Sequence, residues 1–156
     1  MMALNMSKEV LSALGLMNEK LTTANTVATE RNNAFMAGLA EKVSEQPAKY
    51  TPLKEKADQI SALSNDFNSY VEQIKSELLE TASDPTDYEA MDKPDALNTK
   101  FFEGGKITAS ASEFLEKIKS YREGVVSTLS TVKEVDGQVS KDIASAFSTE
   151  DVRDRD

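Results

Sequence analysis

From Val10 onward the apolar residues recur at alternating four- and three-residue steps, through Leu14, Met17, Leu21, Ala24 and Ala28 to Phe35, with Arg31 taking one step of the seam. This is the spacing of one face of an amphipathic helix. No proline precedes Pro47, and the pattern predicts a helix over 4–46, about 65 Å long at the α-helical rise. Gly15 and Gly38 inside it each cost about 1 kcal/mol relative to alanine, which so long a helix tolerates. Beyond Phe35 the spacing lengthens through Leu39 to Val43, relaxing the heptad toward an ordinary bundle period. Such a helix suits a strut or the spine of a bundle better than a catalytic scaffold.

Pro47 and Pro52 bracket a short connection, with Thr51 placed as an N-cap and Pro52 at the first helical position, where its missing N–H does no harm. The second helix carries a seam of Leu53, Ala57, Ile60, Ser64, Phe67, Val71, Ile74 and Leu78, widened by Leu63 and Tyr70. So short a link predicts an antiparallel hairpin with the first helix. At about 45 Å, a second helix of roughly 30 residues leaves the far end of the first one bare.

Periodicity fails from about Ala82 to Lys106, where Asp84-Pro85, Lys93-Pro94 and Gly104-Gly105 punctuate an acidic stretch holding Tyr88, Met91, Phe101 and Phe102. The stretch reads as a long loop pinned by its aromatics. Ser110 with Glu113 forms a capping box for a third helix, whose stripe is Leu115, Ile118, Tyr121, Val125, Leu129 and Val132. Asp136-Gly137 interrupts it before a short segment with Val139, Ile143 and Phe147. The predicted class is all-α: a long antiparallel helical bundle of three long helices plus a short fourth segment, with the first helix extended as a stalk. Residues 1–21 form the stalk end, 4–148 the bundle with its long loop 82–106, and 149–156 a charged, frayed tail.

Composition removes most chemistry from this frame. Among 156 residues there is no cysteine and no histidine, which excludes disulfides, thiol nucleophiles, Ser-His pairs and the commonest transition-metal ligands. The net charge of -9, with lysines and arginines interleaved among acids, opposes binding to nucleic acid or an anionic membrane surface. Asp84, Asp87, Glu89, Asp92 and Asp95 lack the spacing and central glycine of an EF-hand and read as a solvated acidic loop. Gly104-Gly105-Lys106-Ile107-Thr108 lacks the first glycine and the preceding strand of a phosphate-binding loop and reads as a turn. No catalytic residue, cofactor or metal site is expected, and no stretch approaches the roughly 20 apolar residues that span a bilayer.

Three segments carry a family resemblance: Ala3-Leu4-Asn5-Met6-Ser7-Lys8-Glu9-Val10-Leu11, Gly15-Leu16-Met17-Asn18-Glu19-Lys20-Leu21, and Thr29-Glu30-Arg31-Asn32-Asn33. They resemble the start of the periplasmic part of the GldM family, called PorM in non-gliding relatives. Glu45-Gln46-Pro47, Lys49-Tyr50 and Pro52-Leu53-Lys54 are similar to its first interhelical turn, and Phe101-Phe102, Gly104 and Ser148-Thr149-Glu150-Asp151-Val152 to later segments. The resemblance implies a component of the type IX secretion and gliding machinery of Bacteroidetes. In that family a membrane helix pairs with the motor protein GldL in the inner membrane. It continues into a dimeric periplasmic shaft that reaches outer-membrane-associated ring proteins and transmits motion to them.

On this reading Met1–Leu4 are the last turn of the family's membrane helix, and the segment completing its first helical domain and the later β-rich domains follow Asp156. The expected partners are a second copy, a GldL-type protein and ring proteins, with no small-molecule substrate. The candidate dimer seam is Val10, Leu14, Met17 and Leu21. The competing class is an extracytoplasmic ligand-binding sensor bundle, for which Arg31 and Arg122 are the candidate polar anchors; an enzyme ranks third.

Overall fold

A computed structural model describes residues 8–81, 84, 95–132 and 137–149. Helix α1 spans Lys8–Glu45 and α2 spans Pro47–Leu79, about 57 and 50 Å long respectively. They are followed by α3 (Asp95–Phe101), strands β1 (Phe102–Glu103) and β2 (Lys106–Ile107), α4 (Ala109–Ser130) and α5 (Gly137–Ala146). Contacts run in series: α1 against α2, α2 against α4, and α4 against α5 and α3. The described residues are all-α but for one small hairpin.

Every residue of the α2 stripe from Leu53 to Leu78 is half-buried, as are Leu63 and Tyr70. Opposite them, Ala111, Leu115 and Val125 of α4 are buried. Aromatic rings tie the elements together. Phe67 stacks on Tyr121 with centroids 5.0 Å apart, and Tyr121 meets Phe147 edge-on at 5.1 Å. Phe114 lies between Phe101 and Tyr70 at 5.7 and 6.3 Å. The serine that breaks the α2 stripe has a polar partner across the interface, because Ser64 Oγ lies 3.2 Å from the Tyr121 hydroxyl while donating to the Ile60 carbonyl. A buried hydroxyl so paired avoids the desolvation penalty of an unpaired one.

Three local expectations are corrected. First, α2 starts at Pro47, with Gln46 as its cap residue; Thr51 and Pro52 lie inside the helix. Pro47 takes the first helical position itself, where no N–H is needed, and Pro52 removes one bond of the ladder without ending it. Second, 82–106 is not one continuous loop, because Asp95–Phe101 is helical and Phe102 to Ile107 form a hairpin. Gly104 and Gly105 have φ of +58° and +82°, the left-handed pair that a two-residue hairpin turn requires, and Phe102 pairs with Ile107 and Glu103 with Lys106.

Third, the cap of α4 is Thr108 rather than Ser110. Its N–H donates to Phe101 O and its hydroxyl to Lys100 O, while the hydroxyl accepts from Ala111 N–H at 3.2 Å. The hairpin fixes Thr108 in extended backbone, which is the conformation of a cap. At the other end, Thr149 is buried rather than frayed; the rest of the predicted tail, like Tyr88, Met91 and most of the acidic loop, lies outside the described residues.

Candidate functional site

The feature that sets this chain apart is the burial profile of α1. Leu11 and Gly15 are buried, and Met36, Leu39, Ala40 and Val43 are half-buried, but every residue from Leu16 to Phe35 is exposed. That interval is about 30 Å of helix in which no residue is buried or half-buried. It includes Met17, Leu21 and Phe35, exposed by 57%, 59% and 65%. Among them Leu21, Ala24, Ala28 and Phe35 lie on one stripe. Arg31 interrupts this stripe between Ala28 and Phe35.

The backbone of this interval needs no outside partner. The hydroxyls of Thr23, Thr26 and Thr29 donate to the carbonyls of Glu19, Thr22 and Asn25 at 2.9 to 3.1 Å, each satisfied one turn back along the same helix. Arg31 is exposed with Asn18, Asn25 and Asn32. The candidate seam follows the same pattern: Val10 and Leu14 are exposed by 46% and 47%, and Met17 and Leu21 by more.

The bare stretch is not explained by the length of α2. At about 50 Å, α2 is long enough to run beside most of α1, and it packs against both α1 and α4. The half-buried turns at Met36–Val43 adjoin the link, where Gln46 leaves the helical region (φ −139°, ψ 72°). Gln46 N–H still donates to Lys42 O at 2.9 Å, and Gln46 O accepts from both Lys49 and Tyr50 N–H at 3.1 Å. One residue therefore interrupts two long helices while the hydrogen-bond chain passes through it. Pro47 and Pro52 were the sequence signal for this junction, and the change of spacing at Leu39 and Val43 the signal for the half-buried turns before it.

At the opposite end of α2, Lys100 of α3 donates to Glu77. Its ammonium, together with the Gln73 side chain, holds the Glu77 carboxyl below the usual carboxylate range. Burial pushes the Tyr70 phenol up, and the charge of Glu113 adds to that. Arg122 is largely covered and donates to the Phe147 carbonyl at 3.2 Å. It ties the α5 end to α4, and Arg31 is on the exposed arm, so the two arginines do not converge on a ligand pocket. Among the described residues no group of three or more acids could hold a metal ion, and no helix is long and apolar enough to cross a membrane.

The described residues thus form a long helix bare through its middle, joined to a small helical body. The family model for the GldM N-terminal domain matches residues 9–156. The chain belongs to the GldM family, whose members are components of type IX secretion and gliding rather than enzymes. No curated protein matches the chain.

Proposed function

We infer that the chain is the first helical part of a periplasmic shaft, anchored through its N-terminal side to the inner membrane. It carries motion from a GldL-type membrane motor toward ring proteins at the outer membrane. The carrying observation is the bare interval Leu16–Phe35 of α1. A helix resists extension and bending because its hydrogen bonds run along its axis, and one exposed along a heptad stripe offers a second copy a ready seam. Val10, Leu14, Met17 and Leu21 begin that seam, in a homodimer whose two α1 helices run in parallel from the membrane. Within each copy, α1, α2 and α4 form a long antiparallel arrangement in which α2 braces the upper end of α1 and α4 braces α2.

The test has two arms. Sedimentation of the purified chain should show a dimer, and Leu14→Glu with Leu21→Glu should return it to monomer without loss of helicity. In cells producing the full-length protein, a flexible Gly-Ser insertion after Gln46 should stop gliding and secretion at unchanged protein level. A chain that stays monomeric at high concentration overturns the seam, and normal gliding with the insertion overturns the transmission role.

A further inference from the structure

A cavity of about 460 Å³ opens between the C-terminal half of α2, α3, the hairpin, the first turns of α4 and residues Ser148 and Thr149. Its walls are apolar, formed chiefly by Val71, Ile74, Phe101, Phe114, Leu115 and Ile118, with Phe102 and Ile107 at the rim. The one charged side chain lining it, among the described residues, is Lys75. We propose that this cavity binds one long-chain fatty acid, with the acyl chain against the aromatic wall and the carboxylate at the Lys75 ammonium.

Three features select this ligand class. The wall presents almost no hydrogen-bonding group, and a sugar, nucleotide or amino acid buried there would lose its water contacts without replacement. The volume lies within the range of ligand pockets and is about three times the 150 Å³ that holds benzene, which corresponds to roughly eighteen carbons. That is room for one acyl chain and not for the two of a diacyl lipid. The charge is complementary as well. In a chain of net charge -9, the one charged side chain lining the cavity among the described residues is a cation. Lys75 pairs with Glu72 at 2.8 Å, but both side chains are more than half exposed, and an exposed pair at this spacing contributes too little to hold the lysine against a ligand carboxylate.

The experiment is calorimetric titration of the whole chain with dodecanoate below its micelle concentration, beside the same titration with dodecanol. One site per chain is expected for dodecanoate. Lys75→Glu should weaken dodecanoate by about tenfold, the worth of one charge-assisted contact, and leave dodecanol unchanged. Ala111→Phe, which fills the wall, should weaken both. Because Lys75 is exposed, K75E keeps the fold even if A111F does not, and circular dichroism reports which has occurred. Absence of saturable binding would mean that the cavity takes polypeptide side chains or nothing, and overturns the proposal. Several equivalents per chain, or equal dodecanoate affinity in the wild type and K75E, overturn it too.

Discussion

Gly124 of α4 faces Leu63 of α2, and replacing it tests the packing of the body directly. A Cβ at this position would lie 2.9 Å from Leu63 Cδ1 and 3.2 Å from Cδ2, inside van der Waals contact. Two terms oppose each other in Gly124→Ala. Alanine gains about 1 kcal/mol over glycine in a helix interior, whereas forcing a methyl into a filled contact costs about 1–3 kcal/mol. The atoms in the way are the ends of a half-buried leucine side chain, which relieves part of the clash by leaving its rotamer at a cost of about 0.5–1.5 kcal/mol. The net expectation is a loss of about 0–1 kcal/mol. So small a value decides nothing alone, and the informative measurement is the double-mutant cycle with Leu63→Ala. That change costs about 2 kcal/mol, the low end for a leucine truncation because the site is half-exposed. It also removes both colliding methyls. In the Leu63→Ala background Gly124→Ala should become stabilising by about 1 kcal/mol, a coupling of about 1–2 kcal/mol. Urea denaturation followed by far-ultraviolet circular dichroism reads all four proteins. If Gly124→Ala stabilises equally in both backgrounds, α2 and α4 do not meet at this position and the packing described above is wrong.

Tyr121→Phe keeps the stack on Phe67 but leaves Ser64 Oγ without its cross-helix partner; a loss of about 0.5–1.5 kcal/mol in the same denaturation is expected. Thr108→Ala removes the α4 cap and its bond to Lys100 O and should cost about 1 kcal/mol, with Thr108→Ser retaining most of it. Because Glu77 titrates below its ordinary value of 4.5, its pairing with Lys100 stabilises the fold above that value, and the contribution disappears as pH falls through the lower folded-state pKa. Lys100→Met should flatten this acid limb, and an unchanged limb in urea midpoints measured from pH 6 to pH 3 would show that the pair does not bind α3 to α2.

The parts legible in the sequence were those fixed by repetition. Eight stripe positions of α2, five of α4 and Val132 just past its end were read from spacing, and all fourteen are half-buried or buried, because a continuous apolar face on a long helix must be covered by something. The parts that escaped are decided by one or two backbone bonds. Thr108 caps α4 because a hairpin closed by two left-handed glycines delivers it in extended backbone, whereas the Ser110–Glu113 spacing satisfied the capping rule without that constraint. Asp95–Phe101 is too short for its periodicity to show. On α1 the stripe was visible, but spacing does not tell whether a partner lies in the same chain. Only the structure shows that Leu16–Phe35 is exposed while Met36, Leu39, Ala40 and Val43 are half-buried.

On the function proposed above, this arrangement would give the chain a mechanical character. The body built by Phe67, Tyr121 and Phe147 is bound together without using the bare interval of α1. The body and the bare stretch can thus respond to load separately. A force along α1 reaches the body at one end through Met36, Leu39, Ala40 and Val43 and the single residue Gln46. Leu16–Phe35 remains available to a second copy, whose heptad pairing would stiffen the part of the helix that its own chain leaves unsupported. In this arrangement stiffness along α1 and association through its stripe depend on the same residues. Substitutions on the stripe that abolish pairing should therefore also abolish transmission, while those on the polar faces at Asn18, Asn25 or Asn32 should affect neither.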